Sequence, residues 1–353
     1  MHRSGQFSAN GEGKAGIGET ASEQGIREMA SLSGWKITPA RQPKHADYDF
    51  DLERALASAV SLRTVVPEDA FTAQTLGTER GGSGIVIRDN VVLTIGYLIT
   101  EAEEIWITLD HDRVLAGHPL AYDQVTGFGL VQALGQLDLP SLPLGDSGAA
   151  KPGSRVVMAA AGGREHALAT RIVAKQEFAG YWEYLLDEAI FVAPAHPFWG
   201  GAGLIDAAGE LVGIGSLQVE QRTASGDGGQ LNMVVPIDLL KPILDDMLTS
   251  GRANRPPKAW LGVFATDLEG KVFVVGVYSD APADRAGLKP GDLIVSVAGE
   301  TVDGLAAFFR KVWSLGPAGS DVPLTIQRDE ETFEFIVASS EREHFFRKPH
   351  MHS

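Results

Sequence analysis

Residues that could carry out covalent hydrolysis are few in this chain. The 353 residues include no cysteine, which excludes a thiolate nucleophile, disulfides and thiolate-bound metals. A serine hydroxyl attacks a carbonyl only when a base of near-neutral pKa takes its proton. The histidines and serines considered for these roles are His111, His118, His166, His196, Ser83 and Ser216. No spacing pairs one of these histidines with a serine, so we interpret the histidines as exposed loop residues.

Metal and cofactor motifs are absent from the sequence. It contains no His-Glu-x-x-His spacing, and His350 and His352 lie at the C-terminal end. We therefore expect neither a metal nor a cofactor. The net charge is −16, from 30 Lys and Arg against 46 Asp and Glu, and it would repel nucleic acid phosphates and anionic lipid. We expect no nucleic acid partner and no membrane insertion.

Short apolar runs separated by turn residues dominate the first two thirds of the chain. The runs begin at Gly84, Val91, Ile105, Arg155, Ala189 and Leu211. This pattern is typical of an antiparallel barrel or sandwich, and the 41 glycines fit its many tight turns. The spacing of Leu239, Leu240, Ile243, Leu244 and Met247 predicts a helix over about 237–249 that closes this domain.

Composition predicts five parts along the chain. The first 46 residues lack apolar periodicity and are rich in Gly, Ser, Ala and Glu, which indicates a disordered tail. The predicted parts are a tail at 1–46, a barrel domain at 47–251, a linker at 252–257, a second domain at 258–340 and a tail at 341–353. In the second domain, strands alternate with helices, and Asp303 is the expected N-cap of the better helix, which should end at Gly316-Pro317.

The N-terminal 46 residues also contain no apolar run of the roughly 7 to 15 residues that a signal peptide requires. Nor does any stretch approach the roughly 20 apolar residues of a membrane span. We therefore expect a cytoplasmic protein, and a periplasmic one only if the true start of the chain lies upstream.

Two sets of motifs give the chain a family resemblance. The strings Gly-Gly-Ser-Gly-Ile-Val-Ile at 81–87, Leu-Pro-Leu-Gly-Asp-Ser at 142–147 and Leu-Val-Gly-Ile-Gly at 211–215 resemble the HtrA/Deg family of trypsin-like serine proteases. Trp-Leu-Gly-Val at 260–263 and Ala-Gly-Leu-Lys-Pro-Gly-Asp at 286–292 resemble the PDZ domain that follows the protease in that family. The resemblance implies an all-β-dominated chain, with a chymotrypsin-like double β-barrel followed by an α+β PDZ domain. It also implies a homo-oligomer, a trimer.

By this resemblance, the catalytic triad is degenerate. Tyr97 stands in place of the family's histidine base, Gly127 in place of the orienting aspartate and Gly200 in place of the nucleophilic serine. A tyrosine phenol, with an ordinary pKa of about 10, stays protonated at pH 7 and is a poor base. Glycine offers neither a carboxylate nor a hydroxyl. These vestigial positions predict that peptide-bond hydrolysis is lost.

The loop before Gly200 also departs from the family. Phe198, Trp199 and Gly200 form a vestigial oxyanion loop, in which Phe198 replaces a family glycine whose amide helps to build the oxyanion hole. Two interpretations of the aromatic pair stay open. The side chains either fill the cleft as additional core, or form an apolar docking surface for a partner.

The second domain implies a binding function that needs no triad. PDZ domains bind an extended peptide as an added strand, and the resemblance places the peptide's carboxylate on the amides around Gly262. The peptide-binding residues implied are Trp260, Leu261, Gly262, Val263, Leu305, Phe308, Phe309 and Val312. The alternative for the four helix residues is that they are simply core.

Three functions follow as hypotheses. The first is a catalytically inactive HtrA-like protein that binds peptide C-termini or unfolded chains in protein quality control, as a scaffold, adaptor or holdase. The second is a serine endopeptidase with a displaced catalytic set. The third is a regulatory subunit that forms hetero-oligomers with an active homologue. Fold alone does not decide between them.

Overall fold

The computed structural model describes residues 35–110, 113–221 and 229–347. The chain forms two compact units. Of the described residues, the first contains those up to Gln176, those within Glu188–Asn254, and Arg347. The second contains Glu177–Asp187 together with Arg255–Phe346. The predicted boundaries did not anticipate that 177–187 packs with the C-terminal unit.

The first unit contains two closed six-stranded β-barrels. The first barrel has the order β1-β2-β3-β6-β5-β4, and the second has the order β10-β11-β12-β9-β8-β7. The strands of the first barrel are β1 (Ala59–Val65), β2 (Glu79–Arg88), β3 (Val91–Ile95), β4 (Glu104–Asp110), β5 (Arg113–Tyr122) and β6 (Phe128–Ala133). The strands of the second barrel are β7 (Arg155–Ala159), β8 (Ala167–Gly180), β9 (Tyr184–Ala193), β10 (Gly203–Ile205), β11 (Leu211–Gln221) and β12 (Gly229–Pro236).

The burial of β3 explains why its sequence shows no alternation. All five of its residues are buried, because one face lies inside the first barrel and the other packs towards β11 of the second barrel. A strand that is buried on both faces reads as a continuous apolar run. Thr94, the polar residue in this strand, donates its hydroxyl to the Ser83 carbonyl at 2.7 Å. β3 therefore carries the chain directly into the cleft between the barrels.

The helices of the first unit are short. They are α1 (Leu52–Leu56), α2 (Ala73–Leu76) and α3 (Leu244–Ser250). The single helix predicted at 237–249 is wrong, because the structure has a 3-10 turn at Ile237–Leu239 and then α3. Pro242 lies between them, and a proline lacks an amide donor and disfavours helical backbone in the residue before it.

The N-terminal part of the described chain packs on the second barrel. Ile37 is 6% exposed and joins the core of that barrel, and its amide donates to the Glu165 carbonyl at 2.8 Å. The Ala169 amide donates to the Arg41 carbonyl at 2.9 Å. The predicted tail therefore differs from the structure from residue 35 onward, because isolated apolar residues can be buried without any periodic pattern. Residues 1–34 lie outside the described residues.

The second unit is built on a six-stranded sheet. Its strands are β13 (Val263–Leu268), β14 (Lys271–Val277), β15 (Leu293–Val297), β16 (Glu300–Thr301), β17 (Asp321–Arg328) and β18 (Glu331–Ala338). The order is β13-β14-β15-β17-β18, with β16 paired to β15. Two helices, α4 (Pro282–Ala286) and α5 (Leu305–Ser314), complete the unit.

The ends of α5 and of the C-terminal unit differ from the prediction. Gly304, not Asp303, is the N-cap of α5, and the Leu305 amide donates to Oδ2 of Asp267 at 3.2 Å. A carboxylate distant in sequence therefore does the capping expected of Asp303. Beyond residue 340, where a tail was predicted, a 3-10 turn at Arg342–Phe345 packs on this unit, and Arg342 is buried. Among the described helices, none has the length and apolar character needed to cross a membrane.

Candidate functional site

Tyr97 lies in the 3-10 turn Gly96–Leu98 that follows β3, in the cleft between the two barrels. Its hydroxyl donates to the Ser216 carbonyl at 2.9 Å and accepts a hydrogen bond from the Trp199 side chain. Burial raises the pKa of the Tyr97 hydroxyl well above its ordinary value, and the Trp199 hydrogen bond opposes that shift. The hydroxyl is therefore held neutral and unsuited to act as a general base at neutral pH.

Gly200 lies directly beside Tyr97. A β-carbon built on Gly200 would lie 3.0 Å from the Tyr97 hydroxyl oxygen. The Gly200 carbonyl is fixed in turn, because it accepts the Ser83 amide at 2.8 Å. The structure thus brings together the two positions that sequence reasoning assigned to base and nucleophile, and neither supplies that chemistry.

Gly127 completes the set of predicted positions. Its carbonyl accepts the amide of Gly96, the chain neighbour of Tyr97, at 2.6 Å. Gly127 has φ +82°, a left-handed backbone that most side chains disfavour. Its own amide donates to the Asp123 carbonyl at 2.7 Å, and the Asp123 side chain accepts from the amide and hydroxyl of Thr126. The carboxylate in this loop therefore caps a turn.

A backbone amide of the oxyanion loop is hydrogen-bonded to the side chain of a nearby histidine, His196. The Phe198 amide donates to Nδ1 of His196 at 3.0 Å, and Nε2 of His196 donates to the His166 carbonyl at 2.8 Å. The His196 main chain pairs with the side-chain amide of Asn232 at 2.6 and 3.1 Å. The amide that would stabilise an oxyanion is therefore directed at an imidazole nitrogen.

His196 is not an exposed loop residue, and that interpretation was wrong. It is fully buried, and burial lowers the pKa of its imidazole to about 4. Trp35 packs against it at 5.9 Å between ring centroids. A buried imidazole that is neutral at pH 7 can keep Nδ1 free to accept the Phe198 amide. His111 lies outside the described residues.

The aromatic pair of the oxyanion loop packs inward. The Phe198 ring meets Trp35 at 4.5 Å between centroids in an edge-to-face geometry, and Trp199 packs against the core of the second barrel. Both side chains are partly buried. These contacts favour additional core over a docking surface. Sequence reasoning missed Trp35, because a single tryptophan in a Gly- and Ser-rich segment gives no periodic signal.

A second site, made of backbone amides, lies at the start of β13. The amides of Leu261, Gly262 and Val263 donate to the Glu183 carboxylate at 2.9, 2.7 and 3.0 Å. Gly262 has φ +79°, and a β-carbon there would lie 2.4 Å from the Ala281 β-carbon, so the loop needs glycine. Consecutive amides that point to one centre form an anion-binding nest.

Glu183 is the functional residue that sequence reasoning missed. It is 6% exposed, and burial raises the pKa of its carboxyl to about 7, against the lowering effect of the three amides and of Arg342. It lies 78 residues before Leu261 in the chain, so no local motif links it to the nest. The one signal was the run Tyr-Trp-Glu-Tyr at 181–184, three aromatic residues around a turn.

The other predicted peptide-binding residues are buried. Leu305, Phe308, Phe309 and Val312 line one face of α5 and are 7% exposed or less. They share one apolar core with Leu261 and Val263. Trp260 is 2% exposed and packs against the rings of Tyr278 and Phe345. Among the described residues, no group of three or more His, Asp or Glu side chains could hold a metal ion.

Comparisons with known proteins bear on both sites. The profile of trypsin-like peptidase domains matches residues 82–214, and the profile of PDZ domains matches residues 259–338. The chain carries a trypsin-like peptidase domain followed by a PDZ domain. This confirms the fold class, a chymotrypsin-like double β-barrel followed by a PDZ domain, and the HtrA/Deg resemblance.

Curated relatives are named as DegP-like periplasmic serine endoproteases. One from Halomonas elongata is 29% identical over 266 residues, which are 71% of this chain and 54% of the relative. One from Pseudomonas savastanoi is 29% identical over 277 residues, which are 74% of this chain and 56% of the relative. The chain thus spans about half the length of the curated relatives it matches.

A solved structure shares the fold. The HtrA-type protease AlgW with a decapeptide superposes with a TM-score of 0.50 at 20% identity, over 84% of this chain and 98% of that one.

The names of the curated relatives correct one expectation. The prediction of a cytoplasmic protein was wrong, because these relatives are named as periplasmic. That prediction rested only on the lack of an apolar leader in the sequence as it begins.

Proposed function

We propose that this HtrA-like chain binds peptide C-termini or unfolded polypeptides through its PDZ unit, as a scaffold, adaptor or holdase, and does not cleave peptide bonds. The observation that carries the proposal is the convergence of the Leu261, Gly262 and Val263 amides on one carboxylate. A peptide C-terminus offers the same group. Charged acceptors strengthen such hydrogen bonds to roughly 1.5–3 kcal/mol each.

The cleft between the barrels supports the second half of the proposal. Acyl transfer needs a hydroxyl, a base that accepts its proton and donors for the oxyanion. Gly200 lacks the hydroxyl, the Tyr97 hydroxyl is already bonded to Ser216 and Trp199, and the Phe198 amide is bonded to His196. Each of the three requirements fails for a different reason, so no single substitution repairs the cleft.

A second candidate is a serine endopeptidase with a displaced catalytic set. The names of the curated relatives favour it. It would need a nucleophile elsewhere, such as Ser83, whose hydroxyl accepts the Ala161 amide at 3.1 Å. The hetero-oligomer with an active homologue stays a third hypothesis, and the homo-trimer stays a prediction. The names of the relatives also support a periplasmic location.

Two measurements on the 353-residue protein test the proposal. A fluorophosphonate probe reacts only with an activated hydroxyl, so we expect no adduct by mass spectrometry and no loss of casein on gels. Stoichiometric labelling would instead support the endopeptidase. For binding, a pool of fluorescein-labelled heptapeptides ending in Val, Leu, Ile or Phe should bind as free acids, and about ten-fold or more weaker as amides. Equal binding of both forms would contradict a carboxylate site.

A further inference from the structure

The segment Glu177–Asp187, here called the tip segment, contains the end of β8, the turn at 181–183 and the start of β9, and it belongs to the same compact unit as the PDZ fold. It also lies within the residues that match the trypsin-like domain. The barrel fold alone does not require this hairpin to place a carboxylate at a PDZ loop. The contacts of the tip segment with the PDZ fold therefore need an explanation other than the barrel fold.

The first contact is at the nest. Oε1 of Glu183 accepts the Gly262 and Val263 amides, and Oε2 accepts the Leu261 amide, so both carboxylate oxygens are used. Glu183 itself has φ +62°, which is uncommon and unfavourable for a residue with a side chain. The turn is thus held in a less favourable backbone state that brings its carboxylate to the nest.

The second contact is along the strand. The Ala265 amide, two residues after Val263, donates to the carbonyl of Tyr181, two residues before Glu183, at 2.9 Å. Residues 181–183 form a turn, and Glu183 reaches Val263 through its side chain, so the Tyr181 carbonyl adds a main-chain contact to the side-chain contact at the nest. The tip segment therefore lies against the edge of β13, the strand edge that a bound peptide would use.

Apolar and charged contacts complete the match. Leu185 is 9% exposed and joins the apolar core that contains Phe308 and Val312 of α5. The Tyr181 ring lies 5.8 Å from the Phe264 ring between centroids. Arg310 of α5 forms ion pairs with Glu177 and Asp187, at the two ends of the tip segment. The segment thus contacts both β13 and α5, the two elements that flank the groove implied for a peptide.

We propose that the tip segment is an internal ligand of the PDZ groove, with the Glu183 carboxylate in the position of a peptide C-terminus, so that an external peptide must displace it. This inference rests on the proposed function for its biological meaning, since it concerns the same site. The apparent dissociation constant for a peptide is then raised by the inverse of the fraction of molecules whose groove is open.

The test compares the unchanged 353-residue protein with Glu183→Ala and with the matched control Glu188→Ala. Glu188 is an exposed carboxylate on β9, outside the tip segment, and it pairs with Lys175. Hydrogen exchange followed by mass spectrometry measures the exchange rates of the amides at 261–265, with the amides of β17 and β18 as an internal reference. Titration with the free-acid heptapeptide pool described above measures the affinity of each protein for peptide.

We expect Glu183→Ala to speed exchange at 261–265 while the β17 and β18 amides keep their rates. We also expect it to bind the free-acid pool roughly ten-fold to a hundred-fold more tightly than the unchanged protein and Glu188→Ala. Unchanged exchange at 261–265, or equal affinity of the unchanged protein and Glu183→Ala, would overturn the internal ligand. Faster exchange without peptide binding by any variant would uphold it and refute the proposed function.

If Glu183→Ala fails to fold, Glu183→Gln gives the same decision. This substitution keeps the size of the side chain and one acceptor oxygen but loses the charge. Exchange at 261–265 should therefore be faster than in the unchanged protein, by a smaller factor than that expected for Glu183→Ala. Exchange in Glu183→Gln equal to that of the unchanged protein would show that the carboxylate is not what holds the segment, and would overturn the proposal.

Discussion

The two backbone-amide sites of this protein are both filled by its own side chains, but in different ways. At the oxyanion loop, Phe198 donates to the neutral imidazole of His196, two residues earlier in the chain. At the PDZ nest, three amides donate to Glu183, a carboxylate 78 to 80 residues away. The first contact is local and lies in the core of a barrel. The second depends on a hairpin meeting a distant loop.

This difference affects how easily the backbone amides of each site can be freed from the side chain that occupies them. To free the Phe198 amide, the His196 ring must leave a core that it shares with Trp35 and Asn232. To free the nest, a hairpin end must move away from β13, and its carboxylate regains water when it does. In the proposed exchange, another carboxylate takes the place of Glu183.

Protease activity in a variant with a rebuilt triad would contradict the view that the oxyanion loop is held closed, and this would be the largest effect of any variant. We expect the triple variant Tyr97→His, Gly127→Asp and Gly200→Ser to cleave casein no faster than the unchanged protein, because the Phe198 amide still points at His196. A single oxyanion donor contributes about 10²–10³-fold to kcat. Adding His196→Ala to the triple variant removes the acceptor of this amide and should therefore give more activity than the triple variant alone. Efficient cleavage by the triple variant would show that the oxyanion loop is intact.

A second prediction concerns pH and His196. Its pKa is about 4 in the folded protein against 6.5 ordinarily, so between these values the unfolded chain binds a proton that the native state excludes. The free energy of unfolding should therefore fall as pH drops from 6.5 towards 4, by up to about 3 kcal/mol at about 1.4 kcal/mol per unit. Urea titrations across this range measure it.

His196→Gln supplies the control for this pH dependence. It removes the titrating ring, so its free energy of unfolding should change less between pH 6.5 and 4 than that of the unchanged protein, even if it is lower at pH 7. Equal slopes in the two proteins would assign the acid sensitivity to other groups and leave His196 out of it.

The smallest expected effect concerns the ion pairs at the ends of the tip segment. Arg310 pairs with Glu177 and Asp187, and all three side chains are largely exposed. Exposed pairs are typically worth about 0–1 kcal/mol. Arg310→Gln should therefore tighten peptide binding only a few-fold, and 0.5 M salt should remove the difference. A change as large as that of Glu183→Ala would mean that charge, rather than the nest, holds the segment.

The fold was predictable from sequence because its signals are local. The glycine-rich string at 81–87, within β2, and the Ala-Gly-Leu-Lys-Pro-Gly-Asp string at 286–292 carry backbone requirements within a few residues. The same holds for the strands, whose apolar runs the structure reproduces. The positions of Tyr97 and Gly200 also followed from motifs, and the structure places them side by side.

What could not be predicted depends on contacts between distant parts of the chain. Asp267 caps α5 in place of Asp303, Trp35 closes over His196, and Glu183 fills the nest. Each is a single residue with no periodic partner, and its role appears only once the fold brings it to its target. The burial of His196 was missed for the same reason, because the residues that surround it, Trp35, His166 and Asn232, lie far apart in the sequence.

The space between Gly200 and Tyr97 also bears on how this protein can change by mutation. Any side chain introduced at Gly200 brings a β-carbon to 3.0 Å from a hydroxyl that is already bonded to Ser216. The left-handed backbone of Gly127 likewise resists most replacements. A serine at 200 would therefore crowd the cleft before it could gain a base. Among the described residues, and apart from the neighbours of Gly200 in the chain, the only atoms within 4 Å of that β-carbon belong to Tyr97, so a serine at 200 is accommodated more easily once Tyr97 has been replaced, and the order of the two mutations matters.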